Sequence, residues 1–178
     1  MTRPRSDTRQ RIQEVARDLF VRQGVQRTSL QDIADELGIT KPALYYHFTS
    51  REDLVRSIVV PLIEEGERFV ADSERVGVVD ARQLLQGYFD FFYRHRQDLM
   101  LVLAEWTTLA DLGLIDTVLA WHKRLGKVIF GPKPTLAQAT RAVVALGGLQ
   151  DCCIQFYDIS HEELRAHSVD AALGALGV

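Results

Sequence analysis

Ile12, Val15, Ala16, Leu19 and Phe20 fall at i, i+3, i+4, i+7 and i+8, the apolar stripe of an amphipathic helix. The stripe predicts a helix from about Asp7 to Gln23 that stops at Gly24, a residue suited to the position just past a helix end. Leu30, Ile33, Ala34 and Leu37 repeat the stripe in a shorter helix ended by Gly38. Its start reads as a capping box, Thr28-Ser29-Leu30-Gln31, with Thr28 as the cap and Gln31 reaching back. Thr40 caps a third short helix with Pro42 in its first turn, where a missing N–H does no harm. Ser50 opens a long fourth helix through about Ser73. Asp80 with Gln83, Thr135 with Gln138 and Ser160 with Glu163 mark later starts, and Gly-Pro-Lys-Pro at 131–134 is a loop. No stretch shows sustained period-two alternation between turn signals. The pattern predicts an all-α chain of about nine helices, three short ones in front and six behind.

Composition removes several classes of function. With 47% hydrophobic and 25% charged residues over 178 positions, the chain is an ordinary soluble globular protein, long enough to bury a core without metal or disulfide staples. The longest apolar runs span six residues, 58–63 and 99–104, whereas a membrane span needs roughly 20. No apolar segment follows the charged N-terminus, so no secretory signal is expected. The two cysteines, Cys152 and Cys153, are adjacent in an apolar stretch, which suits a reducing cytoplasm rather than a disulfide framework. The net charge of −3 hides an asymmetry. Residues 1–56 hold ten Lys/Arg against eight Asp/Glu, and residues 57–178 hold eleven against sixteen. The front third is the part that tolerates a polyanion.

That front third also carries the informative spacing. Two short helices are separated by Leu37-Gly38-Ile39-Thr40, the size of the turn in a helix-turn-helix. Ala34 is small where the helices cross, Gly38 permits positive φ, and Ile39 and Leu44 plug the second helix into the core. With Leu44 and Phe48 inward, Lys41, Ala43, Tyr45, Tyr46 and His47 occupy the other faces. A helix that reads the major groove presents short donors in this way to base edges and phosphates. An ordinary αα-corner would share the turn; the basic flank and two adjacent exposed aromatics favour DNA.

Residues 8–55 resemble the N-terminal domain of the TetR (tetracycline-repressor) family. The resemblance rests on Ile12 through Gly24, on Thr28-Ser29-Leu30 with Ile33-Ala34, on Gly38 through Phe48, and on Ser50 through Leu54. It implies a homodimeric bacterial transcription factor, usually a repressor. A helix-turn-helix domain (1–50) would bind palindromic operator DNA, and a six-helix domain (51–178) would dimerise and bind a small effector. Carried over by position, it puts Thr28, Tyr45, His47 and Arg51 near phosphates, and Gln31, Lys41, Ala43 and Tyr46 near bases. The chemistry agrees: Thr28 and Thr40 stand at helix N-termini, where free N–H groups favour phosphate. Lys41 can donate to guanine, and Ala43 can touch a thymine methyl. Family members often carry a lysine just after the recognition helix; Arg51 takes that part here. Arg3, Arg5 and Arg9 form either a basic arm for a neighbouring groove or a solvated tail.

Behind this domain, Gly147-Gly148 lies among Val143, Val144, Leu146, Leu149 and Ile154, and the final helix carries Leu164, Ala171, Ala172 and Leu176. Glycine in a helix costs ~1 kcal/mol relative to alanine, so a pair suggests close helix approach. In the family the last two helices of each subunit form a four-helix dimer interface, and these two fit; packing within one subunit is the alternative. Pro61 cannot donate to the carbonyl of Ser57, which predicts either a kink near residues 57–61 or a helix end. Tyr88, Phe92, Glu105, Trp106, Trp121, Gln150 and Cys153 are candidate pocket residues, with Thr107, Thr108 and His122 as further polar groups. Such a lining suits a lipophilic or aromatic effector, and Glu105 would pair with a cationic one or stay partly exposed. No cofactor is expected. No Glu-x-x-His spacing, nucleophile elbow, P-loop or dinucleotide fingerprint points to an enzyme. The alternative is a redox- or metal-responsive regulator using Cys152 and Cys153.

Overall fold

The computed structural model describes residues 5–77, 80–105 and 109–178, and all regular elements among them are helical. Nine α-helices follow one another: α1 (Arg5–Gln23), α2 (Leu30–Leu37), α3 (Lys41–Tyr45), α4 (Arg51–Val76), α5 (Ala81–Arg94), α6 (Arg96–Ala104), α7 (Leu114–Phe130), α8 (Leu136–Gln155) and α9 (His161–Leu176). Single 3-10 turns at Val25–Arg27 and Ala110–Leu112 complete the described elements. No helix among the described residues is long and apolar enough to cross a membrane.

Two compact units result, divided differently from 1–50 and 51–178. The first takes the chain up to Leu62 together with Gln97–Leu112; the second takes Ile63–Arg96 and Gly113–Val178.

In the first unit the stripe of α1 is inside: Ile12, Ala16, Leu19 and Phe20 are buried with Ile33, Ala34, Leu44, Phe48, Leu54, Val55, Ile58 and Val59. The start of α2 differs from expectation by one residue. Ser29 is the cap: its Oγ accepts from the Asp32 N–H at 3.2 Å, and Asp32 reaches back to the Ser29 N–H at 2.8 Å. A carboxylate suits that returning role better than the amide of Gln31, because the helix N-terminus favours negative charge. The backbone and hydroxyl of Ser29 hold the Asp32 carboxyl below its ordinary range. Thr28 turns inward instead.

Helix α4 runs through Pro61 without a break, so the proline does not mark a helix end. The Ser57 carbonyl, deprived of its helical donor, accepts from Gln13 Nε2 of α1 at 3.1 Å. The same amide reaches Ser57 Oγ at 2.9 Å. The polar group freed by the proline thus becomes an attachment point between two helices of the first unit.

In the second unit Leu84, Leu85, Tyr88, Phe89, Phe91 and Phe92 of α5 are buried, as are Trp121 and Leu125 of α7, Leu146 and Leu149 of α8 and Leu164 and Val169 of α9; α5 packs on α8 and α9, and Phe91 meets Trp121 edge-on. Thr135 and Gln138 form the expected capping box, and Gly131 ends α7 as the loop signal requires. The glycines that set close approach are other than expected. The Trp121 indole lies directly on Gly66, where a methyl group would overlap the ring, and a Cβ on Gly126 would stand 3.2 Å from that of Ala142. A Cβ on Gly147 would meet only the edge of His122 at 3.9 Å, and one on Gly148 would meet nothing within 4 Å. Within the chain the Gly147-Gly148 pair makes no tight crossing, because it lies toward the exposed side of α8.

Candidate nucleic-acid interface

The turn between α2 and α3 is closed by backbone chemistry that the sequence specifies. Gly38 adopts φ +66°, its N–H bonds to Asp35 O at 3.1 Å, and the N–H of Ile39 bonds to Ala34 O at 3.0 Å. The Ala34 side chain is wholly buried at the crossing, as its size predicts. Thr40 Oγ1 then caps α3 by accepting from the Ala43 N–H at 3.3 Å, with Pro42 in the first turn. Leu44 and Phe48 are fully buried. Lys41, Ala43, Tyr45 and Tyr46 are exposed, Tyr46 at 65%, and His47 is half-buried. The Lys41 ammonium lies 5.7 Å from the Tyr45 ring centroid, and the Tyr46 and His47 rings meet edge-on at 5.4 Å. One short helix therefore shows a cation, a methyl and two phenols on its open side. Gln31 is exposed on α2, with one N–H of its Nε2 donated to Asp35 at 2.7 Å, which leaves the second N–H and the carbonyl oxygen of the amide.

Four sequence-derived assignments change. Thr28 is only 2% exposed. Its hydroxyl donates to Gly24 O at 2.9 Å and accepts from Gln23 Nε2 at 3.2 Å, and its N–H bonds to Val25 O, so neither group faces a phosphate. Arg51 turns inward: one guanidinium nitrogen donates to Val25 O at 2.9 Å and another lies 3.4 Å from Glu105. Glu105 is fully buried in the first unit, where Gln26 Nε2 also donates to it at 2.6 Å. The residue taken for a phosphate anchor and the one taken for a pocket carboxylate are partners. Arg9 belongs to α1 and is bonded to the end of the α3 segment, so it is not part of a loose arm; Arg5 opens the same helix, and Arg3 lies outside the described residues.

The remaining described pocket candidates lie in the second unit. Tyr88, Phe92 and Trp121 are buried, with Tyr88 and Phe92 in edge contact at 4.7 Å between centroids. Trp121 Nε1 donates to Glu67 at 2.9 Å. Gln150 is half-buried on α8, and Trp106, Thr107 and Thr108 lie outside the described residues. The polar feature of this core is a pair the sequence did not bring together, Tyr88 Oη and His122 Nε2, 3.1 Å apart. Burial raises the phenol far above its ordinary range and lowers the imidazole, the latter opposed by Asp151, so both are neutral. A neutral pair holds two polar protons and spends one on the mutual bond. With Tyr88 donating, the other sits on His122 Nδ1, a buried atom without a hydrogen-bond partner. Cys153 is fully buried, and desolvation pushes its thiol up to about 12, which leaves almost no thiolate at neutral pH. The described residues include no group of three or more His, Cys, Asp or Glu able to hold a metal. The redox or metal alternative at Cys152 and Cys153 therefore finds no support.

Residues 12–58 match the family of bacterial regulatory proteins named tetR. The match covers those 47 of the 178 residues. The chain is 38% identical over 88 residues to the transcriptional regulator TtgR of Pseudomonas putida, an alignment covering 47% of the chain and 42% of TtgR. It is 48% identical over 52 residues to AcrR of Shigella flexneri, covering 29% of the chain and 24% of AcrR. The matches thus span less than half the length of these relatives, which are named as transcriptional regulators rather than enzymes. A transcriptional regulator from Aquifex aeolicus VF5 shares the fold over 92% of the chain and 96% of its own, at 20% identity and a TM-score of 0.74. The tetR-family match and the helix-turn-helix geometry fall on the same residues.

Proposed function

We propose that this chain is a tetR-family transcriptional repressor that binds palindromic operator DNA as a homodimer and is released by a small-molecule effector. The observation that carries the reading is the open side of α3. Lys41, Ala43, Tyr45 and Tyr46 are exposed while Leu44 and Phe48 lock the helix into the core. Lys41, Ala43 and Tyr46 read base edges, joined by the amide of Gln31, and Tyr45, His47 and the N-terminus capped by Thr40 meet phosphates. Dimerisation uses the outer faces of α8 and α9, where Val143, Val144, Gly148, Ala171 and Gly174 are exposed, Val144 at 58%. Such an apolar and small-residue surface is costly to leave in water and suits close helix packing. The effector occupies the second unit beside Tyr88, Phe92, Trp121, Gln150 and Cys153. The apolar lining favours a lipophilic or aromatic molecule, and the unshared proton of the Tyr88–His122 pair favours one with a hydrogen-bond acceptor.

Selection of bound duplexes from a random pool tests the reading. The expected product is a palindrome with half-site centres roughly 34–36 Å apart or somewhat more. Lys41→Ala and Tyr46→Ala should change the selected sequence, each lost base contact costing about 1–3 kcal/mol. No enrichment above the starting pool, or an unchanged sequence in both variants, refutes it. A screen of aromatic and lipophilic compounds against the selected complex then identifies those that release it.

A further inference from the structure

We infer that Arg9 is a positioning residue for DNA reading: it holds the C-terminal end of the α3 segment from α1, through the main chain of His47 and the ring of Phe48. The inference rests on the reading of α3 as the DNA-contacting helix.

A helix of five residues has almost no stability of its own, because nucleation fixes several residues for each hydrogen bond gained. Its N-terminal end is secured locally by Thr40 and Pro42. Its C-terminal end is not closed by a glycine or a left-handed residue. The N–H groups of His47 and Phe48 both turn back to the single carbonyl of Leu44, at 2.9 and 3.1 Å. The His47 carbonyl accepts from Arg9 Nη1 at 2.8 Å. The same guanidinium lies 4.2 Å from the centroid of the Phe48 ring, and Phe48 has no exposed surface. One planar cation thus bonds the main chain and covers the aromatic plug that follows it. An ammonium group can donate to a carbonyl or sit over a ring, but it lacks the flat fork that stacks and donates together. The restrained carbonyl is only one or two residues from Tyr45 and Tyr46, so slack at this point moves the contacting side chains directly.

The rival role is a phosphate contact, because Arg9 is exposed and cationic. The two roles separate experimentally in Arg9→Lys and Arg9→Met. Operator affinity is measured across a salt series, and amide hydrogen exchange is measured on the full chain without DNA. As a positioning residue, Arg9 predicts that both variants bind about five- to tenfold more weakly, the size of one charge-assisted contact made partly in water. The dependence of log affinity on log salt should keep its wild-type slope in both, and lysine should not rescue. Exchange should quicken at Tyr46, His47 and Phe48 while Ile33 and Ala34 of α2 stay protected. Wild-type affinity in Arg9→Lys, with about 0.9 of slope lost in Arg9→Met, assigns Arg9 to a phosphate and overturns the inference. Unchanged exchange at residues 46–48 overturns it as well, as does loss of protection throughout α2, which would make Arg9 a general stabiliser of the fold. A wild-type protein that selects no DNA refutes the proposed function instead, and the exchange measurement still decides what Arg9 holds.

Discussion

Replacing Arg51 by alanine should destabilise the protein without altering how its DNA binding responds to salt. The substitution removes the guanidinium from Val25 O at 2.9 Å and from Glu105 at 3.4 Å, and the Glu105 side chain is fully buried. Deleting one partner of a buried ion pair costs about 3–5 kcal/mol, since the charge left behind is poorly solvated. Here the Arg51 side chain is 23% exposed and the contact is long, so water entering the vacated space relieves part of that penalty. About 2–3 kcal/mol is the corresponding expectation. Adding Glu105→Gln to Arg51→Ala removes the buried charge while keeping an acceptor for Gln26. The double variant should therefore be more stable than Arg51→Ala alone, by about 1–2 kcal/mol. Urea unfolding of the four proteins at one fixed concentration measures both quantities. Simple additivity, or wild-type stability in Arg51→Ala with a salt slope shallower by about one, would refute the argument and return Arg51 to the phosphate backbone.

Gly66→Ala should lower stability by about 3 kcal/mol, because the new methyl overlaps the buried Trp121 ring; recovery of part of that loss on adding Trp121→Leu, read by thermal melting, tests the cause. An unchanged melting temperature in Gly66→Ala would remove the steric argument. Gln13→Ala should cost about 1 kcal/mol in the wild type but much less in Pro61→Ala, where an alanine N–H satisfies the Ser57 carbonyl within the helix; equal costs in both backgrounds would show that the two features are unrelated. His122 has its pKa lowered by burial from 6.5, so the unfolded chain takes up a proton that the folded protein resists. Stability then falls as pH drops through about 6.5, and His122→Gln should gain relative to wild type between pH 7.5 and 5.5; a constant difference across that interval contradicts the assignment.

Local chemistry was legible where one segment decides it. Gly38, Thr40 and Pro42 each have a backbone reason to stand where they do, and the turn between α2 and α3 follows from them. Thr28-Ser29-Leu30-Gln31-Asp32 was ambiguous because two adjacent hydroxyls each have an acceptor three residues on, and burial of Thr28 decides between the registers. The Arg51–Glu105 pair is harder, since 54 residues separate its members. A signal existed for each. Leu54, Val55, Ile58, Val59 and Leu62 form the buried stripe of α4, and Arg51 lies one turn before it on the same face. Asp98, Leu101, Glu105 and Leu109 likewise recur at helical spacing and are all buried. A charge on a buried stripe demands a partner, and periodicity tells that it must have one but not which.

The polar face of α1 shows why the supports of the reading helix escaped the pattern. Arg9, Gln13 and Arg17 recur every four residues, opposite in character to the stripe of Ile12, Ala16, Leu19 and Phe20. Binary patterning assigns such a face to solvent. In the folded unit each residue instead bonds a different segment: Arg9 the His47 carbonyl after α3, Gln13 the Ser57 carbonyl on α4, and Arg17 the Asp98 carboxylate on α6 at 2.6 Å. Two of the three acceptors are backbone carbonyls, which carry no signature in the amino-acid sequence except where a proline, as at Pro61, frees one. Successive tethers are one turn apart along a single helix, roughly 6 Å, so displacing one segment along α1 strains the neighbouring bonds. The apolar side of α1 supplies the burial that makes the domain fold, and its polar side sets where α3, α4 and α6 lie against it within the first unit. On the proposed reading, DNA contact by Lys41, Ala43 and Tyr46 depends on a helix that need touch no base.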